Sequence, residues 1–98
     1  METKHTPGPW FTKREGWSTV YVEARLRGSM LQEVAACGPT QAGPEQQEAN
    51  AELIAAAPEL LIAAINLLAI GRLKWGNLDP DANTIFEQAE ALIGRLNP

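Results

Sequence analysis

A long apolar segment, from Leu53 to Ile70, constrains the fold of this 98-residue chain more than any other feature. At about 18 residues it approaches the length of a membrane-spanning helix, but it contains Pro58, Glu59 and Asn66, and half of it is alanine or polar. These interruptions favour a helix that packs in a core or an interface. We therefore predict no membrane partner.

The predicted helical region covers residues 44–72, and its apolar surface is wider than one small sheet can cover. Its large apolar side chains span an arc of roughly 160°, against about 100° for an ordinary amphipathic helix. Pro58 lacks an amide hydrogen and clashes with the preceding turn, so we expect a kink near residue 58 or two helices that abut there. The excess apolar surface predicts a homo-oligomer, dimeric or higher, through Leu53, Leu60, Leu61, Ile65 and Leu68.

Four polar residues recur every seven positions in this region, at Glu45, Glu52, Glu59 and Asn66. Seven residues make nearly two helical turns, so the four form one stripe, which we interpret as a solvent-exposed surface. For Asn66 the alternative is a buried position that sets the register of a helix–helix interface, as asparagine does in coiled coils.

Three short strands are predicted ahead of the helices, as an antiparallel meander over residues 10–37. They are Trp10–Lys13, Ser18–Arg25 and Met30–Ala36. Alternation along the second strand places Val20, Val22 and Ala24 on a core face and Tyr21 on the opposite face.

Proline and its neighbours set the remaining boundaries. Residues 1–9 form an extended lead-in, Gly43 and Pro44 begin the helical region, and Asp79 and Pro80 begin a C-terminal helix over residues 79–96. The predicted fold class is α+β. A small N-terminal three-stranded antiparallel sheet precedes a kinked or split long helix and a C-terminal helix, in a single domain over residues 1–98.

Net charge and cysteine content narrow the partners and the compartment. The formal net charge is −4, with five basic and four acidic residues in 1–40 but three basic and eight acidic residues in 41–98. This balance argues against binding to duplex DNA, which depends on phosphate neutralisation. One cysteine and an opening METKHTPG without an apolar signal-peptide core favour a reducing cytoplasm.

The residues that usually carry catalysis are scarce. His5 and Cys37 are the only residues of their types, and no metal-ligand spacing surrounds them. A nucleophile needs an adjacent base, and the single histidine lies in a proline-rich terminus. We therefore predict no enzyme, no metal and no cofactor.

Aromatic and basic residues are concentrated in the predicted sheet, and these types suit a ligand site. Aromatic rings stack on nucleobases, and arginine forms paired hydrogen bonds with phosphate. The candidate ligand-binding residues are Trp10, Lys13, Arg14, Trp17, Tyr21, Arg25 and Arg27. The alternative is that the tryptophans anchor the core while the basic residues form a solvated sheet face.

Two motifs resemble those of short phage and prophage accessory proteins. They are HTPGPW at His5–Trp10 and EANAELIAAAPELL at Glu48–Leu61. In that group the first motif leads into a brief β segment and the second forms a helix; both are structural, so no catalytic residue carries over. The segment from Arg72 onward lies outside the resemblance.

The resemblance implies a phage protein that acts by binding. It would counter host antiviral defence, either by inhibiting a defence protein or by sequestering a cyclic or ADP-ribose-type nucleotide signal. The alternative is a structural or regulatory phage component that acts through protein–protein contacts.

Overall fold

The computed structural model describes residues 4–75 and 79–96 of the chain, so residues 1–3 of the predicted lead-in lie outside the described residues. Its elements are β1 (Trp10–Glu15), β2 (Thr19–Arg25), β3 (Leu31–Cys37), α1 (Pro44–Ala55), α2 (Ala57–Lys74) and α3 (Pro80–Leu96). The α+β fold is confirmed. The chain divides into two compact units, unit 1 (residues 1–59) and unit 2 (residues 60–98).

Unit 1 contains a three-stranded antiparallel sheet in the order β1-β2-β3, which confirms the predicted meander. Trp10 pairs with Ala24 and Arg14 with Val20 across the first two strands. The pairing of β2 with β3 shifts register between Val22 and Glu23.

The core of unit 1 lies between the sheet and α1. Val20 and Val22 of β2 form one buried cluster with Ala51 and Ala55 of α1. Ala24 of β2 is buried as well, which confirms the predicted alternation along β2. The small alanine side chains let the helix approach the sheet closely, so a short helix can cover the valines. Apolar burial of this kind is the main favourable contribution to folding.

The HTPGPW segment packs against the rest of unit 1. The Trp10 indole donates a hydrogen bond to the Thr6 carbonyl oxygen at 3.1 Å, and the Gln32 side-chain amide donates to the Thr6 hydroxyl at 3.2 Å. A Cβ at Gly8 would lie 2.8 Å from Cβ of Pro58, so only glycine lets the two segments approach this closely. The two motifs of the phage resemblance therefore contact each other.

The long helical region is split. α1 ends at Ala55 and α2 begins at Ala57, so the break lies at Ala56 and Pro58 is the second residue of the new helix. An amide at the second position of a helix has no hydrogen-bond acceptor within that helix. Proline, which lacks the amide hydrogen, is therefore well tolerated there. No single helix of the described residues is long and apolar enough to cross a membrane, although α1 and α2 together pass that test of length and composition.

Both predicted helix starts are confirmed. α1 begins at Pro44 with Gly43 as the N-cap, and Gly43 has a φ of 97°, a conformation that glycine adopts readily. α3 begins at Pro80, and the Asp79 carboxylate accepts a hydrogen bond from the Asp81 amide at 2.9 Å. Such a cap satisfies an amide that the helix leaves without a partner.

Within unit 2, the last turns of α2 pack against α3 at Gly71. A Cβ at Gly71 would lie 2.6 Å from Cε1 of Phe86, so the ring lies directly on the helix backbone. The Arg72 guanidinium lies 5.2 Å from the Phe86 ring centre, donates to Asn83 at 2.7 Å and forms an ion pair with Glu90. Half-buried positions recur every three or four residues along both helices, at Leu61, Ile65 and Leu68 on α2 and at Phe86, Ala89 and Ile93 on α3.

Candidate binding surfaces

An exposed tryptophan projects from the turn between β1 and β2. Gly16 has a φ of 60°, which lets the chain reverse over three residues, and Trp17 follows it with 83% of its surface exposed. Large aromatic side chains lose hydrophobic stabilisation in water, and tryptophan is enriched among residues that dominate protein interfaces. The turn therefore presents a large aromatic side chain to solvent.

A buried glutamine fixes this turn to the rest of unit 1. Gln47 of α1 is 1% exposed, and its amide nitrogen donates to the carbonyl oxygens of Ser18 at 3.0 Å and Cys37 at 2.8 Å. Its amide oxygen accepts from Arg14 at 3.1 Å. Both donors and the acceptor are thus satisfied, as a buried amide requires, and α1 is tied to the turn and to the end of β3.

Arg14 strengthens the same connection. Its Nε donates to a carboxylate oxygen of Glu48 at 2.6 Å, and its Nη1 donates to the Gly16 carbonyl oxygen at 3.3 Å. With the bond to Gln47, the guanidinium joins β1, the turn and α1. Arg14 therefore holds the backbone of the turn that carries Trp17.

A half-open recess of about 200 Å³ lies beside Trp17. Its lining residues are Trp17, Pro39, Thr40, Gly43, Pro44 and Gln47. Thr40 and Gly43 are joined by two hydrogen bonds, from the Thr40 hydroxyl to the Gly43 carbonyl oxygen at 3.2 Å and from the Gly43 amide to the Thr40 carbonyl oxygen at 3.1 Å. The recess is therefore lined by uncharged residues and has room for about one large side chain.

The seven predicted ligand residues do not converge on one site. Residues directly opposite each other in a sheet share a face, so Trp10 and Arg14 lie on the face that α1 covers, beside Ala24 and Val20. Lys13, Tyr21 and Arg25 alternate onto the opposite face. Trp17 lies in the first turn and Arg27 is exposed between β2 and β3.

The sheet face opposite α1 carries mixed charge. Arg25 lies 6.0 Å from the centre of the Phe11 ring, and Lys13 and Glu15 form an exposed ion pair at 3.6 Å. Glu23 is paired across the strands with Glu33, and its Oε1 atom has no hydrogen-bond partner among the described residues. Acidic and basic groups alternate here, which gives no concentrated positive charge for a phosphate.

The residues predicted for an oligomer interface have two different environments. Leu53 and Leu60 are exposed, whereas Leu61, Ile65 and Leu68 are half-buried along one side of α2. The sequence did not distinguish these environments, because α2 is apolar around most of its circumference. Further large side chains are exposed on α2 at Ile62, Leu67, Ile70 and Leu73.

Sequence reasoning also missed the recess. It placed Trp17 among ligand residues but not Pro39, Thr40 or Gln47, since a glutamine on a helix and a proline in a loop carry no spacing signal. The repeated Gly and Pro of residues 38–44 indicated an irregular loop and nothing about what it encloses.

Comparison with known proteins gives a phage family. A family model described as Salmonella phage P22 protein Y8K6 matches residues 1–95, which includes the segment after Arg72 that the two motifs did not cover. No curated protein and no solved structure matches the chain.

Proposed function

Because the chain belongs to the family of Salmonella phage P22 protein Y8K6, we propose that it is a non-enzymatic phage protein that binds a protein partner at the Trp17 recess. The observation that carries this proposal is a tryptophan 83% exposed on a turn that Gln47 and Arg14 hold in place. A turn whose backbone is already held in one conformation loses little conformational entropy on binding, which favours affinity.

The chemistry of the recess favours a protein segment over a nucleotide. Its lining consists of one aromatic ring, two prolines, a glycine and two uncharged polar residues. Arg14 is the nearest strongly basic group along this network, and its guanidinium already bonds to Gln47, Glu48 and Gly16. A phosphate would therefore lack a charged partner, whereas an apolar side chain would gain contact with Trp17 and the prolines.

The partner in this proposal is a host defence protein in the cytoplasm of the infected cell. Its support is the phage family together with a recess suited to a protein. Capture of a cyclic or ADP-ribose-type nucleotide is the second form of the same role, and stacking on Trp17 is the feature that favours it. The alternative role is structural or regulatory, with a phage protein in the recess.

The test compares two exposed tryptophans. Trp17→Ala removes the recess wall, whereas Trp75→Ala removes an indole that is 58% exposed elsewhere, so both variants lose the same chemical group. Removal of an interface anchor costs about 2 kcal/mol or more, roughly thirtyfold in affinity. Cross-linking in phage-infected cells followed by mass spectrometry should recover one host protein with wild type and Trp75→Ala, and lose it with Trp17→Ala.

The other results separate the alternatives. Equal recovery with both variants contradicts the recess as the site, and recovery of a phage protein favours the structural or regulatory role. Calorimetry with cyclic and ADP-ribose-type nucleotides tests signal capture directly. Binding heat with wild type that is absent with Trp17→Ala would show that the recess binds a nucleotide and not a protein. Thermal melting of each variant should match wild type, because surface substitutions change stability by no more than about 0.5 kcal/mol.

A further inference from the structure

The surface of α2 that faces away from its half-buried side is apolar and uncovered among the described residues. Leu67 is 72% exposed and Leu73 is 79% exposed, and Leu60, Ile62 and Ile70 are each more than half exposed. A helix that is apolar all round is normally buried. This surface therefore needs a partner that covers it. The identity of that partner does not depend on the proposed binding at the Trp17 recess.

Three polar residues lie on this surface, at the beginning, the middle and the end of α2. Glu59 lies in the first turn of α2 and Lys74 in the last, with exposed Asn66 between them. Their spacings of seven and eight residues place all three within about 80° of one another around the helix axis. Neither Glu59 nor Lys74 has an ion pair among the described residues.

This arrangement is complementary to itself when the helix is reversed. A second α2 running antiparallel and centred beside Asn66 places Glu59 opposite Lys74 of the second copy, at both ends of the contact. The same alignment places small Ala63 opposite Ile70, so a large side chain fills the space above a small one. A parallel alignment would instead place Glu59 beside Glu59 and Lys74 beside Lys74, which is repulsive.

We infer that α2 is the interface of a homodimer, in which the α2 helices of two copies pack antiparallel about a twofold axis beside Asn66. A twofold interface uses the same surface on both copies, so its residues must be self-complementary, as these are. In this register the axis passes between Asn66 and Leu67, so the two Asn66 residues lie one position apart across it and each amide can donate to and accept from its symmetry mate. A single polar pair in an apolar helix interface fixes register at some cost in stability.

Disulfide cross-linking tests the orientation. In a Cys37→Ser background, Glu59→Cys and Lys74→Cys are made as separate variants, mixed and mildly oxidised. The antiparallel dimer predicts mixed dimers that join position 59 of one copy to position 74 of the other, and self-cross-linking of an Asn66→Cys variant. Glu45→Cys, at an exposed position of α1, is mixed with Lys74→Cys to measure cross-linking by random collision. Cross-links of Glu59→Cys to itself and of Lys74→Cys to itself, without mixed dimers, would overturn the inference.

Light scattering tests the dimer itself and identifies any other cover. Wild type should have twice the chain mass of 10.6 kDa, and Ile70→Glu should return it to the monomer mass. Lys13→Glu, which changes an exposed residue of unit 1, should stay dimeric. Monomeric wild type, or a monomer that sediments with phosphatidylglycerol vesicles through α2, would refute the homodimer.

Discussion

Unit 1 and unit 2 bury their apolar side chains to very different degrees. Unit 1 buries Val20 and Val22 against Ala51 and Ala55 of α1 and satisfies every polar group of the buried Gln47 side chain. In the described part of unit 2, Gly71 is the single buried residue of α2 and α3 has none. Unit 1 therefore has a core of its own, whereas the helices of unit 2 expose apolar surface that a second molecule can cover.

The two units differ in how well the amino-acid pattern predicts which side chains are buried. β2 alternates valine and alanine with polar residues, so its sequence states which face is inside. α2 has apolar residues on nearly every side, so its sequence predicts that the helix is buried but does not identify the surface that buries it. A surface of this kind gains stability from association, because each apolar square ångström removed from water contributes about 25 cal/mol.

The largest expected effect on stability comes from Gln47→Ala in unit 1. The substitution leaves the carbonyl oxygens of Ser18 and Cys37 without their donor and frees one Arg14 bond. A buried group left without a partner costs about 1 to 3 kcal/mol, so we expect a loss of roughly 2 to 4 kcal/mol in the free energy of unfolding. Chemical denaturation measures it.

The matched control for that variant is the neighbouring Gln46→Ala. Gln46 is exposed, so its removal should change the free energy of unfolding by no more than about 0.5 kcal/mol. Equal destabilisation by the two variants would show that the amide network does not hold unit 1 together.

A smaller loss is expected from Gly8→Ala, at the contact between Gly8 and Pro58. The new methyl group would lie 2.8 Å from Cβ of Pro58, an atom of a rigid ring that has little room to move. Overpacking of this kind costs about 1 to 3 kcal/mol. Thermal melting should therefore show a lower Tm for Gly8→Ala, while Gly38→Ala, whose methyl group meets nothing within 4 Å, should melt like wild type.

The smallest effect is expected in unit 2, from Arg72→Gln. Arg72 bonds to Asn83 and Glu90, but these groups are partly exposed and water screens the ion pair. We expect a loss of no more than about 1 kcal/mol, measured by the helical circular dichroism signal during denaturation. A loss as large as that of Gln47→Ala would mean that unit 2 has a polar framework comparable to that of unit 1.

Much of the fold was predictable from local signals. Alternation in β2, the Gly43-Pro44 start of α1 and the Asp79-Pro80 start of α3 all depend on neighbouring residues, and the structure contains each of them. The break in the long helix was predictable as a kink or a split near Pro58, and it lies at Ala56 because proline is tolerated in a first turn.

The candidate site was less predictable because it is formed by long-range contacts. Trp10, Arg14 and Arg25 are close in sequence, but strand alternation and the position of α1 send them to different faces. The contact of Gln47 with Ser18 joins residues 29 positions apart, and the recess depends on it. No spacing rule connects a helical glutamine to a turn tryptophan.

Amide hydrogen exchange at low and high protein concentration tests the contrast between the two units most directly. Protection in β2 and α1 should be the same at both concentrations, because unit 1 has its own core. Protection in α2 from Leu60 to Lys74 should rise with concentration, because a second copy covers that surface. Equal protection of α2 at both concentrations, together with a monomer mass throughout that range, would show that no second copy covers α2.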